Sequence, residues 1–175
     1  MINHLTQWTY CLKHYVMMCL LSSSPERLPN SIQCITLSLV SYLLVGLMLV
    51  DAQRSYLAIV GQISLELALL TLIAYVGLRL RKTLSRFYQT LSALVGANLM
   101  MTAVSLPIYR LVIDNSISSE SLTQVEVNLA VALILWNLAV LSLVFKRAFD
   151  IGTLVSAMIT FNYFVLYQLI FVWFY

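Results

Sequence analysis

The chain has 175 residues, 61% of them apolar and only 10% charged, with a mean hydropathy of +0.91 and a net charge of +3. Soluble domains carry about a quarter charged residues, and a chain this short has too little interior to hide so much apolar surface. A water-soluble globule is therefore excluded, and the excess apolar surface must face lipid. The ten Lys and Arg residues gather at segment boundaries rather than along an aromatic-interleaved face, which argues against nucleic acid as a partner.

From the amino end, Leu5, Trp8, Leu12, Tyr15, Val16 and Cys19 recur at steps of three and four, an apolar stripe on one side of a helix. Trp8, Tyr10 and Tyr15 suit the headgroup zone, so this segment is expected to lie in the membrane interface as an amphipathic helix. A disordered tail is the alternative. Its apolar run from Tyr15 to Leu21 is short and precedes no small-residue cleavage pattern, so it reads as retained rather than as a signal peptide. Ser22 to Asn30, with Pro25, Glu26, Arg27 and Pro29, interrupts the helix. Residues 1–30 are thus expected to be a cytoplasmic interfacial segment with a Pro-containing lead-in, and 31–175 a transmembrane domain.

Ser31 can cap a first span over about 31–50, a charge-free stretch long enough to reach the roughly 30 Å of a hydrocarbon core. A short turn, Asp51 to Arg54, leads into a second span over about 55–78. Arg79, Arg81, Lys82 and Arg86 form the densest basic cluster and precede a third span, about 87–108. Pro107 lacks a backbone donor, so that helix is expected to end or kink near Leu106. The polar stretch Asp114 to Gln124 is the longest internal loop; a fourth span, 125–145, and a short turn with Lys146, Arg147 and Asp150 follow. A fifth span covers 151–173. The expected fold is an all-α, polytopic bundle of five spans. A four-span alternative requires one of these segments to be buried without crossing.

Orientation follows from the basic residues. Lys13, Arg27, Arg79, Arg81, Lys82, Arg86, Lys146 and Arg147 fall on one side, against only Arg54 and Arg110 on the other. That distribution predicts a multi-pass protein of the plasma or inner membrane, with a cytoplasmic amino terminus and the carboxyl terminus outside.

Glu66 is the most informative residue. It falls near the middle of the second span, where an ionisable group is costly and marks a function or a buried partner. Gln62 lies one turn earlier on the same face, and Asn98, Asn137 and Asn162 reach similar depths in the last three spans, with Ser38 and Ser41 in the first. Such a polar layer has two readings: hydrogen-bonded glue between helices, or a binding or proton-relay site at the midplane. The cluster Arg79, Arg81, Lys82 and Arg86 fits orientation, contact with anionic lipid headgroups, or both.

Other features point away from chemistry. No GxSxG, HExxH, Walker A or GxGxxG pattern occurs, so no enzyme and no cofactor is expected. His4 and His14 stand ten residues apart without Cys or carboxylate partners, which does not suit a metal. Cys11, Cys19 and Cys34 form no CxxC and leave an odd thiol, so they read as apolar filling rather than a disulfide framework. Ser92, Ala93, Gly96 and Ala97 give the third span a small-residue face, for close packing inside the bundle or in a homo-oligomer. Among the carboxyl-terminal aromatics, the last few are expected to form an interfacial belt and the earlier ones to pack against the bundle or a partner.

The lead-in Ser24, Pro25, Glu26, Arg27, Leu28, Pro29, Asn30, Ser31, followed by tightly spaced helices, resembles the Yip1-type membrane proteins. It is most similar to their bacterial inner-membrane members, with Arg86, Phe87, Tyr88, Gln89, Thr90, Leu91 opening the third helix and Leu106, Pro107 closing it. The Asp-Leu-Tyr-Gly-Pro-type motif of the eukaryotic members is absent, which counts against a Rab-binding or vesicle-traffic role. The resemblance implies a non-enzymatic membrane protein acting through other integral membrane proteins, and it carries over no functional residue. The first functional expectation is a scaffold or accessory subunit working by helix–helix contact. A small-solute or proton-coupled transport component using the layer around Glu66 is the alternative.

Overall fold

The computed structural model describes residues 4–48, 56–117 and 124–174. Six helices account for most of them: α1 (His4–Cys19), α2 (Ile32–Leu47), α3 (Tyr56–Leu80), α4 (Phe87–Ile117), α5 (Gln124–Phe149) and α6 (Thr153–Phe174). Single 3-10 turns, Pro25–Arg27 and Leu84–Arg86, lead towards α2 and α4. The protein is a polytopic, mostly apolar helical bundle.

Four helices carry stretches long and apolar enough to cross a membrane: Ile59–Leu80, Leu84–Ile108, Gln124–Phe149 and Thr153–Ile170. The expected first span does not join them among the described residues. α2 has 16 residues, which at about 1.5 Å per residue reach about 24 Å, short of the roughly 30 Å core. The end of that expected span and the turn from Asp51 to Arg54 lie outside the described residues.

Helix ends follow local chemistry. α1, α3 and α5 are each followed by a residue with positive φ (Leu21 at 59°, Lys82 at 57°, Asp150 at 51°) that turns the chain back. The next amides then recover terminal carbonyls: Ser22 N–H donates to Met17 O at 2.9 Å, Thr83 N–H to Leu78 O at 2.9 Å and Ile151 N–H to Lys146 O at 3.1 Å. Ser31 precedes α2 with an extended backbone, but its side chain does not make the expected capping bond.

Pro107 neither ends nor replaces a turn of α4, which continues through it to Ile117. In lipid a freed carbonyl has no water to turn to, so losing one bond inside a continuing helix is cheaper than breaking the helix. Asp114 and its neighbours to Ile117 therefore belong to α4; the rest of the expected loop, 118–123, lies outside the described residues. Lys146 and Arg147 likewise sit in the last turn of α5, not in the turn after it.

α4 is the central element, packed against α1, α2, α3 and α5, while α6 fits between α5 and α3. Its residues 91 to 99 are all buried. α2 runs parallel to α4, pairing Ile35 with Leu91 in one cluster, and α3 returns antiparallel so that Gly46 meets Ile63. Around this core, Leu57, Leu72, Val104, Leu135, Leu154, Phe161 and Leu169 are exposed, as a lipid-facing surface requires.

The amino-terminal helix departs from expectation. α1 crosses the bundle transversely: Cys11 is disulfide-bonded to Cys34 of α2, Tyr15 reaches Ser92 of α4, and Cys19 meets Trp136 of α5. Its buried face is Cys11, His14, Tyr15, Met18 and Cys19, while Val16 is exposed. The stripe is therefore rotated from the one read in the sequence, and it faces protein instead of headgroups. The small-residue face of α4 is the reason. Ser92, Ala93 and Ala97 are fully buried, and the Tyr15 ring lies where a Cβ at Gly96 would stand, 2.4 Å from two of its carbons. That face packs within the bundle. The disulfide corrects the reading of all three cysteines as filling, since only the buried Cys19 is free. Their distance in sequence hid a proximity that the crossing of α1 creates.

The basic cluster is partly tied to the protein. Arg81 donates through Nε to Phe149 O at 2.7 Å and through Nη2 to Asp150 O at 2.6 Å, closing the end of α5. Arg86 pairs with Glu26 at 2.9 Å, and Arg147 donates to Ser23 O. Arg79 and Lys82 are exposed.

Candidate binding site

Helical spacing builds the site. Gln62 and Glu66 stand four apart on α3, and Tyr163 and Tyr167 four apart on α6, so each helix presents its pair on one face. The two faces meet: Gln62 Nε2 donates to the Tyr167 hydroxyl at 2.7 Å, and Tyr163 hydrogen-bonds Glu66. From α2, the Tyr42 hydroxyl donates to Glu66 Oε2 at 2.5 Å; from α4, Asn98 Nδ2 donates to Oε1 at 2.8 Å. Every group meeting the carboxyl is neutral. Hydrogen bonds to an ionised group are worth about 1.5–3 kcal/mol each, which offsets part of the price of removing it from water.

Beside this carboxyl lies a cavity of about 280 Å³. Its walls come from four helices: Tyr42 and Gly46 on α2, Ile59, Gln62, Ile63 and Glu66 on α3, Asn98, Met101, Thr102 and Ser105 on α4, and Leu133, Ile134 and Asn137 on α5. Met101 also packs with Cys19, Ala97 and Val140, so α1 forms the layer between the cavity and the basic end. Asn98 is only 2% exposed. Its Oδ1, and that of Asn137, are buried without a hydrogen-bond partner. A buried acceptor left unpaired costs about 1–3 kcal/mol, so two lining one cavity mark a place where donors are wanted.

Of the residues expected in the polar layer, Gln62, Glu66, Asn98 and Asn137 converge on this cavity. Asn162 does not. It is exposed on α6, because the face of that helix turned inward belongs to Tyr163. Ser38 belongs to a separate cluster nearer the basic end, where the Tyr15 hydroxyl lies 2.7 Å from Ser38 Oγ and 2.6 Å from Ser92 Oγ. Sequence reasoning gave Tyr42 no role and expected Tyr163 and Tyr167 only to pack against the bundle or a partner, so it missed all three as partners of the polar layer. The four-residue spacing of Tyr163 and Tyr167, equal to that of Gln62 and Glu66, was the available signal.

Among the described residues no group of three or more His, Cys, Asp or Glu side chains could hold a metal. His14 is buried with Nδ1 3.0 Å from Tyr10 O, and its ring packs on Tyr10 at 4.2 Å between centroids. No family model, curated protein or solved structure matches this chain.

Proposed function

We propose that this protein is a non-enzymatic, proton-coupled component for small-solute transport, with Glu66 as the proton-carrying group. The observation that carries the reading is the cavity at Glu66 with two unpartnered amide oxygens beside it. Structural glue alone would leave those oxygens paired between helices, because unmatched acceptors weaken the bundle. In the proposed setting, the basic end with Arg79, Arg81, Lys82 and Lys146 faces the cytoplasm of a plasma or inner membrane, following the positive-inside rule. The exposed Arg79 and Lys82 are then placed to meet anionic headgroups.

The test uses inside-out vesicles holding an acid interior reported by a pH-sensitive dye. Adding the small-molecule fraction of a cell extract should collapse the gradient faster with the wild-type chain than with empty membranes, and Glu66→Gln should abolish the difference. Equal rates in wild-type and Glu66→Gln vesicles would refute the reading.

A scaffold or accessory role, the function implied by the Yip1-type resemblance, is the second reading, and Asn162 favours it. This amide lies exposed on α6 among Phe161, Met158 and Leu166. An amide facing lipid gains about 0.6–2 kcal/mol by bonding a neighbouring helix. Photo-crosslinking from position 162 in native membranes should capture another integral membrane protein or a second copy; crosslinks to lipid alone would sink this reading.

A further inference from the structure

Resting on the solute-transport reading, we infer that the cavity takes a small primary ammonium with a short apolar tail, exchanged against the proton of Glu66.

The chemistry of the unmatched groups selects the ligand. Both buried polar atoms without partners on the cavity wall, Asn98 Oδ1 and Asn137 Oδ1, are acceptors. The groups around Glu66 already direct a donor elsewhere: Tyr42 and Asn98 Nδ2 donate to its carboxylate, and Gln62 Nε2 donates to Tyr167. A ligand made of acceptors alone would leave both amide oxygens unmatched. A primary ammonium brings three N–H donors, one for each amide oxygen and one for the carboxylate.

Charge selects the same class. Glu66 is the only carboxylic acid among the described residues of the wall, and a lone carboxylate in a low-dielectric bundle is costly unless a cation compensates it. The exchange balances. As the ammonium enters, Glu66 releases one proton to water, and the net charge of the buried site stays constant. Reversal returns the proton and expels the cation.

Size and wall composition favour a small organic cation over a large substrate. About 280 Å³ falls just below the roughly 300–1,000 Å³ of drug-sized sites. Ile59, Ile63, Met101, Leu133 and Ile134 line the rest of the space, where a short alkyl chain is favoured by about 0.8 kcal/mol per buried methylene.

The experiment is calorimetric titration of the full chain in detergent with butylammonium, tetramethylammonium, sodium, 1-butanol and butyrate, alongside butylammonium in the vesicle assay above. Butylammonium should bind saturably, release protons in buffers of different ionisation enthalpy, and collapse the gradient faster with the wild-type chain than in empty or Glu66→Gln vesicles, where only the neutral amine crossing the lipid carries protons. Glu66→Gln should weaken it at least tenfold and remove the proton release. Asn137→Leu, which loses no hydrogen bond made by its oxygen, should weaken it at least fivefold, and Asn162→Leu should not change it. Tetramethylammonium or sodium binding as tightly would overturn the role of N–H donors. Binding of butanol or butyrate as tight as that of the amine, or full affinity in Glu66→Gln, would overturn the cation assignment. Absence of any Glu66-dependent acceleration by butylammonium, while the extract still collapses the gradient through Glu66, would overturn this inference alone; absence of both would overturn the transport reading with it.

Discussion

Replacing Gly96 with alanine tests the placement of α1, the layer beneath the cavity. A Cβ there would lie 2.4 Å from Cδ1 and Cε1 of Tyr15, whereas carbon atoms rest at about 3.5–4.0 Å. The ring would have to move by about 1 Å. It is fully buried, and its hydroxyl is held by Ser38 and Ser92. Overpacking costs about 1–3 kcal/mol, and stretching or losing two hydrogen bonds adds about 1–3 kcal/mol. Against this, alanine is favoured over glycine in a helix by about 1 kcal/mol. The net expectation is a loss of about 1–5 kcal/mol. Unfolding of the purified protein in detergent by increasing SDS fraction would measure it. In a Tyr15→Ala background the clash disappears, and Gly96→Ala should become neutral or stabilising by about 1 kcal/mol. If Gly96→Ala stabilises the wild-type chain, or acts equally in both backgrounds, α1 does not cross α4 at this point.

Further expectations concern the same packing and the site. Gly77→Ala should destabilise by about 1–3 kcal/mol, because its Cβ would lie 2.4–2.7 Å from the Phe149 ring, whereas Gly152→Ala meets nothing and serves as the control; both are read by the same SDS titration. Glu66→Gln should fold normally, since its amide oxygen accepts from Tyr42 while its NH2 donates to Asn98 Oδ1 once the Asn98 amide turns over, whereas Glu66→Leu leaves both donors unpaired and should cost about 2–5 kcal/mol in that assay. Peptide mass mapping should show Cys11 joined to Cys34, and a maleimide should reach the buried Cys19 only after denaturation. Cys34→Ser should lower stability by about 2–4 kcal/mol; recovery of unlinked Cys11 and Cys34 from oxidised membranes would contradict the pairing. Leu21→Gly and Lys82→Gly should each stabilise by about 1 kcal/mol, as both residues hold positive φ that glycine adopts without strain.

The amino-acid sequence by itself determined that lipid is the solvent, where the long helices run, and that Glu66 is exceptional. These are legible because they depend on composition, on run length against a fixed membrane thickness and on the cost of an intramembrane acid, none of which needs a neighbour. It also brought Gln62, Glu66, Asn98 and Asn137 to a common depth, which follows from counting residues along spans of similar length.

Tertiary structure decided whatever depends on rotation about a helix axis or on the meeting of distant segments. Asn162 and Tyr163 are adjacent in sequence and equal in depth, yet one faces outward and the other reaches Glu66. α6 turns inward a stripe of Ser156, Thr160 and Tyr163, with Tyr167 one turn further on, at steps of four, three and four, whereas the depth of Asn162 along the span carries no information about which side it faces. The crossing of α1 was hidden for a related reason. Its contacts with Cys34, Ser92 and Trp136 span 23 to 117 positions of chain, and these, with the fit of the Tyr15 ring against Gly96, select which stripe of the helix is buried. Depth along a membrane helix is a one-dimensional quantity that the order of residues contains; facing is a choice made between surfaces, and it exists only once the helices have met.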